Sequence, residues 1–182
     1  MPRRPRPTLV ALAAAGALAV PAAGAAYAAT SPNPVTTHVT VADRVDTEGP
    51  LDVEQAVHVV GTDDDTVVYK IRTYEPFDVG DLSRTKRTVV VELDTDGEPG
   101  SERSIRVSAP AGRLRAELIS NATREVIKPV AVQLLGERTL RLTGARADIG
   151  ARKYFWVTTY HFAGDPITRQ DVVPDRGWIR QR

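Results

Sequence analysis

The chain has 182 residues, 24 Lys and Arg against 23 Asp and Glu, and no cysteine. Without cysteine there can be no disulfide framework, thiol nucleophile, thiolate metal site or cysteine-linked lipid anchor. The near balance of charge lacks the basic excess by which proteins hold nucleic acid or an anionic membrane.

Arg3, Arg4 and Arg6 precede an uncharged run, Leu9 to Val20, and small residues ending in Ala26-Tyr27-Ala28. That order predicts a secretory signal cut between Ala28 and Ala29. The run is too short to span a bilayer. Pro5, Arg6 and Pro7 after the arginine pair favour the general secretory route over the twin-arginine route. Loss of residues 1–28 removes three arginines and leaves a formal charge of −2. The expectation is a secreted chain that engages neither nucleic acid nor, after cleavage, membrane. Residues 29–42 read as a linker, with Pro32 and Pro34, and a possible first strand at Val39 and Val41. Residues 43–182 read as one domain.

From there the pattern has a period of two, the mark of half-buried strands. Leu51 and Val53 alternate with Asp52 and Glu54; Val67, Tyr69 and Ile71 with Val68, Lys70 and Arg72; Val89, Val91 and Leu93 with Val90 and Glu92. Further alternating runs surround Ile105 and Val107, Leu114 and Leu118, Val132 and Leu134, Leu140 and Leu142, and residues 154–161. Gly61, Asp96-Gly97, Pro99-Gly100, Pro110-Ala111-Gly112 and Gly136-Glu137 supply turns. One helical turn is expected within residues 144–152, and residues 171–179 read as an extended tail. Eight or nine short strands at such spacing predict an all-β antiparallel sandwich of Greek-key or jelly-roll type. The expected core is Val67, Tyr69, Ile71, Val89, Val91, Leu93, Ile105, Val107, Leu114, Leu118, Val132, Leu134, Leu140, Leu142 and Trp156. Residues 29–100 carry a net −9 and residues 101–182 a net +7, which suits neighbouring strands with paired charges.

Asp94, Asp96 and Glu98 are candidate calcium ligands, because a hard cation takes oxygen donors from a loop. The competing reading is an Asp-Gly turn with solvated acids. His38, His58 and His161 have no zinc-chelating spacing. No serine lies in a Gly-x-Ser-x-Gly elbow, and no phosphate-cradling glycine loop occurs. Tyr154, Trp156 and Tyr160 share one strand face. In the core they would supply bulk, the reading the pattern favours; on the surface they would form a platform for sugar rings.

The strand Thr66 to Tyr74, Asp81-Leu82-Ser83-Arg84, the strand Thr88 to Leu93 closing on Asp94-Thr95-Asp96-Gly97, and the late aromatic strand before Asp175-Arg176-Gly177-Trp178 resemble uncharacterised exported proteins of high-GC actinobacteria. The arrangement is also broadly similar to DOMON-like and carbohydrate-binding sandwich modules. The resemblance implies fold and, more weakly, ligand binding; no heme or sugar ligand of those modules matches a position here. The expected function is a non-catalytic extracellular module for a glycan, ion or protein; no cofactor is expected, calcium being the one candidate. The alternative is a secreted hydrolase acting on cell-wall or polymeric substrate. A disulfide-braced protease inhibitor is disfavoured by the missing cysteines.

Overall fold

The alternating runs form eleven antiparallel strands: β1 (Thr37–Ala42), β2 (Val53–Val60), β3 (Thr66–Thr73), β4 (Arg87–Asp94), β5 (Arg103–Ser108), β6 (Arg115–Ser120), β7 (Val126–Leu135), β8 (Thr139–Ala145), β9 (Tyr154–His161), β10 (Thr168–Val173) and β11 (Ile179–Arg180). The computed structural model describes residues 37–60, 65–83, 87–98, 100–149, 154–161, 168–177 and 179–180. The signal, its Ala28/Ala29 junction, the residue 29–35 linker, Asp63, Asp64, Phe162 and Trp178 lie outside the described residues. The fold class is the one expected. The count exceeds eight or nine because the first apolar pair does pair as β1 and the tail contributes β10 and β11. Among the described residues helix is confined to one α turn, Arg146–Ile149, and two short 3-10 turns. Among the described residues no helix is long and apolar enough to cross a membrane.

The strands follow one continuous path, β1-β2-β3-β8-β7-β6-β5-β4-β9-β10, with β11 also on β9. The path folds into two facing layers because β7 belongs to both. Its first part, up to Val130, pairs with β6; from Ala131 it pairs with β8. Pro129 sits in the first part, where β7 has a partner on one side only, the edge-like setting in which a strand accommodates proline. The acidic and basic halves of the sequence interleave: β3 lies against β8, and β4 lies between β5 and β9.

The seam opposite β7 closes differently. β10 packs against β2, and each carries a bulge there, at Arg169/Asp171 and at Val53/Gln55. The Val53 amide donates to Asp171 Oδ2 at 2.7 Å, in the interior. A side chain thus takes the place of a strand–strand ladder between the layers.

Inward residues of both layers form one core. Val67, Tyr69 and Ile71 from β3, Val89, Val91 and Leu93 from β4, Ile105 and Val107 from β5, Leu118, Leu140 and Leu142 are all buried. Leu114, Val132 and Leu134 are partly buried against it. Trp156 corrects the expected core: Phe155, Val157 and Thr159 point inward and are buried, whereas Trp156 is on the outer face and partly exposed. The register decides this. Phe155 is opposite Leu93 and Trp156 opposite Glu92; directly opposed residues share a face. Once Leu93 is inward, Phe155 must be too, and its burial is worth roughly 2–3 kcal/mol.

Phe155 reaches across to the other layer, with ring centroids 5.4 Å from His58 and 5.2 Å from Tyr69; His58 and Tyr69 lie 5.0 Å apart. His58 is fully buried and neither ring nitrogen has a hydrogen-bond partner. Burial, aided by the charge of Arg146, lowers its pKa to about 4. The helical turn covers one end of the core through buried Ile149, which closes over Gly144; a Cβ there would meet Ile149 Cδ1 at 2.5 Å.

Gly144→Ala therefore overpacks this end and is expected to destabilise the fold by about 1–3 kcal/mol in urea titration. His58 generates a second expectation. Its neutral form stabilises the fold fully above pH 6.5; the unfolded chain takes up a proton below that pH, while the folded one does so only near pH 4. As pH falls from 6.5 to 4, the wild type should lose about 3 kcal/mol relative to His58→Phe, measured as the difference between their unfolding free energies at each pH. A difference that stays constant across that interval contradicts the assignment.

Candidate functional site

The outer face of β9 carries Tyr154, Trp156 and Tyr160, all partly exposed. Residues two apart on a strand stand about 7 Å from one another on one face. Thr158, between Trp156 and Tyr160, is buried. The aromatics are held on a well-paired strand, with β4 along one edge and β10 and β11 sharing the other.

Across the ladder, Trp156 is opposite Glu92, and Glu92 is opposite Ser104 of β5. A polar network is built on this row. Ser101 Oγ donates to Glu92 Oε2 at 2.8 Å, and Asn121 Nδ2 donates to the same oxygen at 3.2 Å. Asn121 Nδ2 also reaches the Ser101 carbonyl at 2.9 Å and its hydroxyl at 2.7 Å, while Ser104 Oγ donates to Asn121 Oδ1 at 2.8 Å. The Asn121 amide donates to the Glu102 carbonyl at 2.9 Å, which anchors the β6–β7 turn beside the network. The site is therefore a row of aromatic rings beside a fixed carboxylate, amide and two hydroxyls. The carboxylate of Glu92 is the acceptor at the centre of this network.

The three aromatics were legible as a group in the sequence, and the structure does bring them to one face. Glu92, Ser101, Ser104 and Asn121 were missed as partners. The only local signal was the alternation that placed Glu92 outward.

Of the candidate calcium ligands, Asp94 and Asp96 come together, but the third carboxylate beside them is Glu102, not Glu98; their oxygens lie within 4.8 Å of one another. They are engaged by the loop itself. Asp94 Oδ1 accepts from the Gly97 amide at 2.5 Å and Asp96 Oδ1 from the Glu98 amide at 2.8 Å. Glu102 Oε2 accepts from the Thr95 amide at 2.6 Å and its hydroxyl at 3.0 Å. Gly97, at φ 88°, supplies the left-handed residue that the turn requires. This is the geometry of a self-capped Asp-Gly turn. His38 meets Thr40 on the surface at 3.3 Å, His58 is core, and no histidine joins a ligand-like group among the described residues.

No protein family, curated protein or solved structure matches the chain.

Proposed function

We propose that the protein is a secreted, non-catalytic binding module that takes a glycan chain on the outer face of β9. The observation that carries this reading is the aromatic row Tyr154–Trp156–Tyr160 beside the Glu92–Ser101–Asn121–Ser104 network. Sugar rings offer apolar C–H faces and a rim of hydroxyls. Aromatic rings cover the first, and a carboxylate acceptor with an amide bonds the second. Because Glu92 and Asn121 are already tethered, little side-chain freedom is lost on binding. The signal-like pattern of residues 1–28 supplies the extracellular setting of the same reading.

The test is retention of the purified protein on a panel of insoluble polysaccharides and cell-wall preparations, followed by titration with soluble fragments of whichever polymer retains it. Trp156→Ala is expected to weaken binding by about tenfold or more, the loss of a central aromatic anchor. Ile127→Ala, an exposed apolar position on β7, should leave binding unchanged. Absence of retention on every polymer, or undiminished binding by Trp156→Ala, overturns the proposal. Polymer turnover that Glu92→Gln abolishes would favour the hydrolase alternative.

A further inference from the structure

The seam between β2 and β10 gathers acidic side chains that are far apart in sequence. Carboxylate oxygens of Asp43, Asp46 and Asp171 all lie within 4.8 Å of one another. Asp43 and Asp46 come from the chain leaving β1, and Asp171 from β10. A fourth acid, Asp52, stands near them: the Asp46 and Thr47 amides hydrogen-bond its carboxylate, its charge acts on Asp43, and that of Asp46 acts on it. Asp52 is only 2% exposed, and its Oδ1 has no hydrogen-bond partner. Asp43 Oδ2 is likewise buried and without a partner. An acceptor held in the interior with nothing donating to it costs about 1–3 kcal/mol, and more if it is charged.

Arg44, largely exposed, reaches Asp46 at 3.8 Å and Asp175 at 3.4 Å, and both ion pairs lie at the rim. Burial and mutual repulsion raise the pKa of Asp43 and Asp52 and push that of Asp171 up to about 6.

We propose that Asp43, Asp46 and Asp171, with Asp52 behind them, bind a calcium ion that clamps the β1–β2 connection to β10. The donors are all hard oxygens, as calcium requires, and metal–oxygen distances of about 2.3–2.6 Å put oxygens on opposite sides of one ion about 5 Å apart. The observed spread, within 4.8 Å, is compatible with that separation. The ion would neutralise the carboxylates and satisfy the orphaned oxygens. It would also join two chain segments that meet through the Val53–Asp171 bond. This site differs from the Asp94–Asp96–Glu102 turn: the seam carboxylates also take backbone amides, Arg44 on Asp43, Asp46 and Thr47 on Asp52 and Val53 on Asp171, yet Asp43 Oδ2 and Asp52 Oδ1 stay buried with no donor, and among the described residues no oxygen of the turn is left so.

Tyr74 provides a reporter, because its hydroxyl donates to the Asp43 carbonyl at 2.6 Å. The full chain, stripped with chelator, is titrated with calcium while thermal unfolding is followed. A parallel titration with terbium reads tyrosine-sensitised luminescence and its displacement by calcium. Calcium is expected to raise the melting temperature saturably, and terbium to emit until calcium displaces it. Asp46→Asn, at an exposed position that leaves the fold intact, should weaken both effects by about tenfold or more. Asp96→Asn should leave both as in the wild type. No melting shift and no displaceable emission at millimolar ion overturns the proposal. So does an Asp46→Asn protein that binds as the wild type does, or an Asp96→Asn protein that has lost binding.

Discussion

The hydrogen bond from the Val53 amide to Asp171 is the constraint on which the rest of the architecture depends. A folded-over sheet has two seams. One is closed covalently and by ladders, because β7 runs through both layers. Among the described residues the other has no ladder, and its edge groups would need water or a substitute partner. A buried carboxylate is a strong acceptor for such a group, and the paired bulges in β2 and β10 bring donor and acceptor together. The cost is electrostatic. Burial drives the Asp171 pKa up to about 6, against the pull of the Val53 and Val172 amides. Below pH 3.8 its protonated form contributes its full stability, and that contribution is lost as pH rises through 6. His58 has the opposite slope over nearly the same interval, so the two compensate and flatten the acid response of the fold.

The seam also fixes which side of β9 meets solvent. β9 is wedged between β4 and the β10/β11 edge, and Phe155 must fill the space facing Tyr69 and His58. With that ring inward, Tyr154, Trp156 and Tyr160 are committed to the outer face. The proposed glycan platform is thus a consequence of core packing in the strand that carries it, with rigidity inherited from the core. A site built on a central strand holds its geometry better than one carried by loops.

Much of this fold was legible in the sequence, since alternation such as Val89-Val90-Val91-Glu92-Leu93 gives both the strand and its inner face. The exception was β9, where Tyr154 to Tyr160 carries aromatic residues and one threonine on each face and alternation is silent. Only pairing with β4 resolves it, and register is a tertiary property. Asp52 failed for a related reason. Alternation with Leu51 and Val53 predicts an outward acid, but the bulge at Val53 breaks the period and all three residues are buried. The acidic seam was invisible because Asp171 lies 118 residues from Val53; no local spacing encodes that contact. At the Asp94 turn both candidate aspartates did come together, with Glu102 in place of Glu98.

The measurement that bears most directly on this account is amide hydrogen exchange and proton chemical shift at Val53 across pH. If Asp171 closes the seam, the Val53 amide exchanges as slowly as the core ladder amides, and its shift titrates with a midpoint near pH 6. A Val53 amide that exchanges freely, with a shift indifferent to pH, would mean that the seam is held by something else.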